Sequence, residues 1–291
     1  MGVLLCCLSA LLYGLNAVLI KLASEDLSVP LILCFRGGLA VLLLALPMRR
    51  RKISVLPASA RQGLLLALHT FCGFILTTVL LNMAYLCLPV GAVTTIHYLY
   101  PLLVYLGSAL FWKVPFTWRV LPILLAVLVG ATLLAEPTGL GGNGLGVLLA
   151  VASSVTWAFH MLCLEHTPLR MEPPLRLVFW QGSMSIVVGM AAQLLTEGRI
   201  PIPDPASLGV LLCSALCALI GAGTLLSLGI RRIGSGPASV LSVFEPVGSI
   251  LFGLIFLREL PTPRQWLGIL VILSAVLALL IMRSRETARN N

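Results

Sequence analysis

Charge is what this sequence has least of. Of its 291 residues, 10% are Asp, Glu, Lys or Arg, against ~25% in ordinary soluble domains. A water-soluble globule of this length has too much surface for so few charges to cover, which excludes a soluble enzyme. Acidic groups are the scarcer kind, with 10 Asp and Glu against 19 Lys and Arg and a net charge of +9. The sequence also lacks a CxxC pair, an HExxH, a GxSxG and a P-loop, so no zinc-peptidase, serine-hydrolase or nucleotide-binding signature is present. The eight cysteines (Cys6, Cys7, Cys34, Cys72, Cys87, Cys163, Cys213 and Cys217) lie within or beside apolar blocks. They read as small packing residues, not as disulfides or metal ligands.

What the sequence has is apolar residues, 59% of the chain, gathered in blocks of about 20, the length that crosses ~30 Å of hydrocarbon as a helix. Ten such blocks are expected, at about 3–22, 29–47, 62–85, 89–111, 117–135, 144–164, 175–196, 207–230, 236–257 and 263–282. They are apolar all round and do not alternate, so helices are expected and not barrel strands. The first block is expected to be a retained span. No basic stretch precedes it, and Cys6 departs from a myristoylation start. With the N-terminus in the cytoplasm, 14 Lys and Arg fall on that side. Four, Lys21, Arg199, Arg258 and Arg264, fall outside, with Arg36 inside a span. That asymmetry puts both termini in the cytoplasm. The basic run Arg49–Lys52 reads as a topology determinant touching anionic lipid, not as a nucleic-acid patch.

The chain repeats itself. Tyr100-Pro101 and Glu245-Pro246 stand 145 positions apart. At the same offset Gly91 meets Gly236, Lys113 meets Arg258, and Phe35-Arg36-Gly37 meets Trp180-Gln181-Gly182. At 144, Tyr13 and Asn16 meet Trp157 and His160. The reading is an all-α integral membrane protein of ten transmembrane helices, built as two inverted five-helix repeats. Residues 1–136 and 147–291 are the repeats, and the Gly-rich segment 137–146 joins them. An odd number of spans per copy inserts the second copy upside down, the architecture of carriers that alternate around a central site.

Together these features resemble the drug/metabolite transporter superfamily, and within it the EamA-type branch. The residues that carry the resemblance are the Arg early in the second span, "LPVGAVTTIHYLYPLL", and "SVFEPVGSILFGLIFLRELPTPRQWLGILVILSAV" with its Phe244-Glu245-Pro246 and Arg258-Glu259-Leu260. The resemblance implies a central cavity lined by the first, third, fourth, sixth, eighth and ninth helices, with the fifth and tenth at the periphery. It also implies carriage of small metabolites, often amino acids, without ATP.

Glu245 is the one carboxylate inside an expected span. Burying it ionised is costly, so it should be paired, hydrated or protonated, and it is the candidate coupling residue. The alternative is a structural Glu bonded to backbone freed by Pro246. Arg36 lies about 10 Å into its span at 1.5 Å per residue. It could hold a substrate carboxylate or pair with Glu245. Tyr13 with Asn16, and Trp157 with His160, are spaced three apart and form two matched faces that could flank one ligand. His97 and Tyr100 near Pro101, and Ser242 one turn before Glu245, complete the candidate substrate-binding set. His69, Asn82 and Tyr98 are weaker candidates. No metal or other cofactor is expected. The expected partners are a small-molecule substrate, the lipid bilayer and protons, with a homodimer as a further expectation and no nucleic acid. The expected function is secondary active transport, with amino-acid or related metabolite efflux first and organic-cation uptake or exchange second. A membrane-embedded enzyme lacks a recognisable catalytic set. A multi-pass protein of a bacterial cytoplasmic membrane is expected.

Overall fold

The computed structural model describes residues 1–23, 27–135 and 143–290. Among them every regular element is helical. We number ten apolar helices: α1 Gly2–Ala23, α2 Val29–Arg50, α3 Ala60–Cys87, α4 Val90–Trp112, α5 Trp118–Leu134, α6 Gly144–His166, α7 Pro174–Glu197, α8 Pro205–Ile233, α9 Ser235–Leu257 and α10 Pro263–Asn290. Nine are long and apolar enough to cross a membrane, and α5 is shorter. Most of the joining segment, 136–142, lies outside the described residues. Its end does not. Asn143 accepts the amide of Gly146 at 3.2 Å and starts α6 at Gly144, before the expected repeat boundary at 147. An Asn at that position satisfies an amide that the first helical turn leaves open.

Two helices are interrupted at matching points. Proline has no N–H, so Pro101 cannot bond the carbonyl of His97, nor Pro246 that of Ser242. In α4 the backbone tightens just before the gap, with Leu99 N–H donating to Ile96 at 3.1 Å, and resumes with Leu103 donating to Leu99 at 3.2 Å. In α9 the same bonds recur 145 positions on, Phe244 to Leu241 at 3.1 Å and Gly248 to Phe244 at 3.0 Å. Each of these helices then ends on a left-handed residue that is not glycine, Lys113 (φ 55°) and Arg258 (φ 57°). Wide turns of π-helix occupy His69–Ile75 in α3 and Ala215–Ala222 in α8, again at equivalent places, and Gly253–Leu257 in α9.

Packing follows the same correspondence. The helix pairs α2 with α7 and α5 with α10 are each a helix against the one five places later in the chain. The remaining main contacts come in exchanged pairs: α3 on α6 and α8 on α1, then α4 on α6 and α9 on α1. Close approach is made possible where side chains vanish. A Cβ on Gly37 would lie 2.6 Å from the carbonyl oxygen of Gly182, so at this crossing a glycine meets its counterpart 145 positions on. A Cβ on Gly14 would lie 2.6 Å from the carbonyl oxygen of Glu245, which lets α1 press against the break in α9.

Candidate functional site

The interruptions in α4 and α9 open onto a cavity of about 320 Å³, within the range of small-molecule sites. Its walls come from α1, α2, α3, α4, α6, α8 and α9. Arg36 adds α2 to the helices expected to line it. Ile20, Tyr85 and Thr94 lie near the ends of their helices that face Lys21 and Glu259, so the cavity runs from the helix breaks toward that end.

Two opposite charges line it without meeting. Glu245 opens the second segment of α9 and is half-buried. Arg36 comes from α2 and its Nε is buried with no hydrogen-bond partner. Among the described residues the ion pairs are Lys21–Glu259, His166–Glu165 and Arg176–Glu172, so Arg36 and Glu245 are not paired with each other. Tyr13 lies within electrostatic reach of both. A charge held away from water without a partner is costly, and neither group meets an opposite charge among the described residues.

The rest of the wall is aromatic and hydroxylic. Tyr13, Tyr85, Tyr98 and Tyr100, four of the five tyrosines of the chain, line it together with Trp157. Tyr13 and Tyr100 both make T-shaped contacts with Trp157 at 6.5 Å. His97 packs on Tyr100 at 5.4 Å and is fixed by Ser153 through Nδ1 at 3.0 Å. Asn16 is oriented by Ser214, whose hydroxyl donates to Oδ1 at 2.5 Å. Thr77 and Thr156 share a hydrogen bond of 2.6 Å across α3 and α6.

Of the nine candidates read from the sequence, the cavity gathers Tyr13, Asn16, Arg36, His97, Tyr100, Trp157 and Glu245. It does not gather His160 or Ser242. His160 is buried against α3 behind Trp157, because Gly73 leaves no side chain in the way: a Cβ there would lie 2.9 Å from that of His160. Ser242 is buried too, and its hydroxyl donates to the carbonyl of Ala238 at 2.9 Å instead of reaching Glu245. The weaker candidates Asn82 and Tyr98 line the cavity, and His69 does not. Tyr85, Thr77, Thr78 and Thr94 were not singled out. The spacing Thr77, Leu81, Tyr85 with Thr78 and Asn82 is a polar stripe at helical period that could have revealed the α3 face.

The opposite end is sealed by polar contacts. Buried Glu172, in the α6–α7 connection, accepts from Arg176 at 2.7 Å and from Gln62, and its carbonyl accepts from Arg231. Arg176 also donates to the carbonyl of Ser54 at 2.7 Å, and Trp180 to that of Val55 at 3.1 Å, tying α7 to the chain after α2. Glu165 binds both the amide and the hydroxyl of Ser235 at the start of α9.

Comparison with known proteins places this geometry. A crystal structure of a protein with 16% sequence identity superposes with a TM-score of 0.83 over 97% of this chain and 98% of that one, so the fold is shared. An uncharacterised inner membrane transporter of Escherichia coli (strain K12), YhbE, is 28% identical over 137 residues, 46% of this chain and 42% of that protein. An uncharacterised transporter of Bacillus subtilis (strain 168), YwfM, is 27% identical over 139 residues, 46% and 45% respectively. An uncharacterised inner membrane transporter of Salmonella typhimurium (strain LT2), YicL, is 30% identical over 210 residues, 67% and 65%. The matches to the first two thus span less than half the length of those relatives. The sequence model of the EamA-like transporter family matches residues 1–135 and 144–281. With nearly all of its length matched in this way, the chain belongs to the EamA-like transporter family.

Proposed function

We propose that this membrane transporter carries small zwitterionic metabolites of amino-acid type, outward across a bacterial cytoplasmic membrane, by alternating access coupled to protons. One observation carries the substrate class: Arg36 and Glu245 line the same cavity, oppositely charged and unpaired. A carboxylate suits the guanidinium, which can bind it bidentately, and an ammonium suits Glu245 within its tyrosine walls. Glu245 is also the group that exchanges the coupling proton. The ten helices span the bilayer as two inverted five-helix repeats with both termini cytoplasmic, and the recurrence of breaks, caps and packing at one offset supports this. In that orientation the cavity leads outward and the Glu172 cluster closes the cytoplasmic side, one of the two states that alternating access requires.

A second reading, uptake or exchange of organic cations, is favoured by the four tyrosines and Trp157 that share the cavity with Glu245. A stabilisation screen in detergent separates the two, using the twenty amino acids, spermidine, tetramethylammonium, nucleosides and sugars at two pH values. A ligand at 100 times its Kd stabilises by about 2.7 kcal/mol. Stabilisation by amino acids that is lost in Arg36→Gln supports the first reading. Stabilisation by cations alone, kept in Arg36→Gln and lost in Glu245→Gln, replaces it with the second.

A further inference from the structure

Behind Trp157 the aromatic ladder leaves the cavity and enters the protein. The ring of His160 lies parallel to that of Trp157 (centroids 4.8 Å apart, planes at 6°) and to that of His69 (4.3 Å, 19°). His160 is 3% exposed and His69 1%. Both nitrogens of His69, Nδ1 of His160 and the hydroxyl of neighbouring Thr70 are buried without a hydrogen-bond partner. Packing does not account for four such atoms, since each costs about 1–3 kcal/mol that an apolar ring would avoid. The group sits between the cavity floor and the sealed end, on the π-helical turn of α3 against α6.

We propose that the His69–His160 stack is a second proton-binding site, distinct from Glu245, and that Trp157 couples it to the cavity. An imidazolium at His160 would lie against the face of an indole, a favourable cation–π arrangement. A second proton on His69 would place like charges about 4 Å apart, so the stack takes one proton and not two. On the elements packed around the pair, Cys72 and Cys163 are thiols, His97 is tied to Ser153 and Arg176 is tied to Glu172. None of these supplies a free opposite charge. Trp157 is shared, because it lines the cavity and flanks His160. Whatever displaces the indole from the cavity side changes proton binding behind it, and by linkage the proton changes cavity binding by the same factor. The proton site stands without the transporter reading, and only its use in coupling rests on that reading.

The test is a pH titration of tryptophan fluorescence on the full-length chain carrying Trp112→Phe, since an imidazolium stacked on an indole quenches it and Trp112 is itself stacked on His166 (centroids 4.5 Å apart, planes at 16°). In that background a titrating component is expected, absent when Trp157→Phe or His160→Gln is added, and retained when Glu245→Gln is added. In His69→Phe, which keeps a flat ring, the component should persist with a shifted midpoint. A component that survives His160→Gln, or vanishes with Glu245→Gln, overturns the proposal. Nitrogen-15 spectra of the four labelled histidines read the count directly. One imidazolium for the pair supports it, and none or two before unfolding overturns it. Failure of the ligand screen would strike the substrate reading and leave these titrations untouched.

Discussion

Tyr13 of α1 and Tyr100 of α4 both stand perpendicular to the same indole, that of Trp157, each with centroids 6.5 Å apart and planes at 82° and 83°. Edge-on contacts bring the positive rim of one ring to the electron-rich region of another and are worth ~0.5–1.5 kcal/mol each. Trp157 is therefore held from two helices while it faces the cavity. Trp157→Leu should weaken binding of any compound that stabilises the wild type by at least roughly tenfold. Trp157→Phe should fall between the two. Equal affinities in all three proteins would remove the indole from the binding wall.

Arg36 and Glu245 line one cavity but are not bonded to each other, and this has a measurable signature. In a double-mutant cycle of Arg36→Gln and Glu245→Gln read by thermal stability without ligand, the effects should add to within about 0.5 kcal/mol. A coupling of several kcal/mol would mean that a direct ion pair forms in the resting protein.

Transport by Glu245→Gln should lose its dependence on pH, while exchange of substrate for substrate persists. The amide keeps the shape of the carboxyl group and cannot release a proton. The measurement is counterflow and net flux in vesicles across a pH series. A mutant whose net flux still follows pH takes Glu245 out of the coupling step.

The two ends of the bundle should respond differently to loss of an acid. Glu172 and Arg176 are 7% and 12% exposed at the side chain, whereas Lys21 and Glu259 are 58% and 55% exposed. Removing one partner of a buried pair strands the other, a cost of ~3–5 kcal/mol, while an exposed pair contributes ~0–1 kcal/mol. Glu172→Ala should therefore lower the apparent Tm markedly, and Glu259→Ala should barely change it. The reverse order would mean that the sealed end is held by something other than Glu172.

Asp204 opens α8 outside the apolar span and offers a check in acid. Its carboxylate accepts the Ser207 hydroxyl at 2.5 Å, the Ser207 amide at 3.1 Å and the Ala206 amide at 2.8 Å. These bonds, that of the Ser207 hydroxyl foremost, hold the carboxyl below its usual range. Because the folded value is the lower one, the cap is fully present above the ordinary carboxylate value, about 3.9. It is lost as pH falls through the folded value. The Ala206 and Ser207 amides should be protected from exchange, relative to the intrinsic rate at each pH, at neutral pH and lose that protection only in strong acid. In Asp204→Ala that protection should be missing at every pH, and its persistence in that variant would discount the cap.

The sequence located nine of the ten helices to within about three residues and the start of the tenth, because unalternating apolar blocks bounded by Arg, Gly and Pro leave few other readings; α10 runs on to Asn290, past the apolar block that ends at 282. Pro101 and Pro246 also pointed to the place where the cavity opens. The π-helical turns did not show, since a widened turn costs no particular residue type and is set by what packs beside it. His160 was placed in the cavity because it shares a helix face with Trp157. Which part of that face is covered depends on Gly73 of another helix, and no spacing within α6 reports that. Ser242 stays off the cavity wall for a similar reason, as a serine one turn before an acid can also bond its own helix, and here it bonds Ala238.

The crossing of Gly37 and Gly182 has one more consequence. If residues 1–136 and 147–291 are inverted copies, Gly37 and Gly182 are one position and its duplicate, and their contact lies on the axis that relates the copies, where points stay put when the operation is applied. If the two halves trade conformations, this crossing is the place that need not change partners, as the pin of a pair of scissors stays where it is while the blades swap sides. Bare backbone against bare backbone suits such a pin, because no side chain has to unlock before the halves turn.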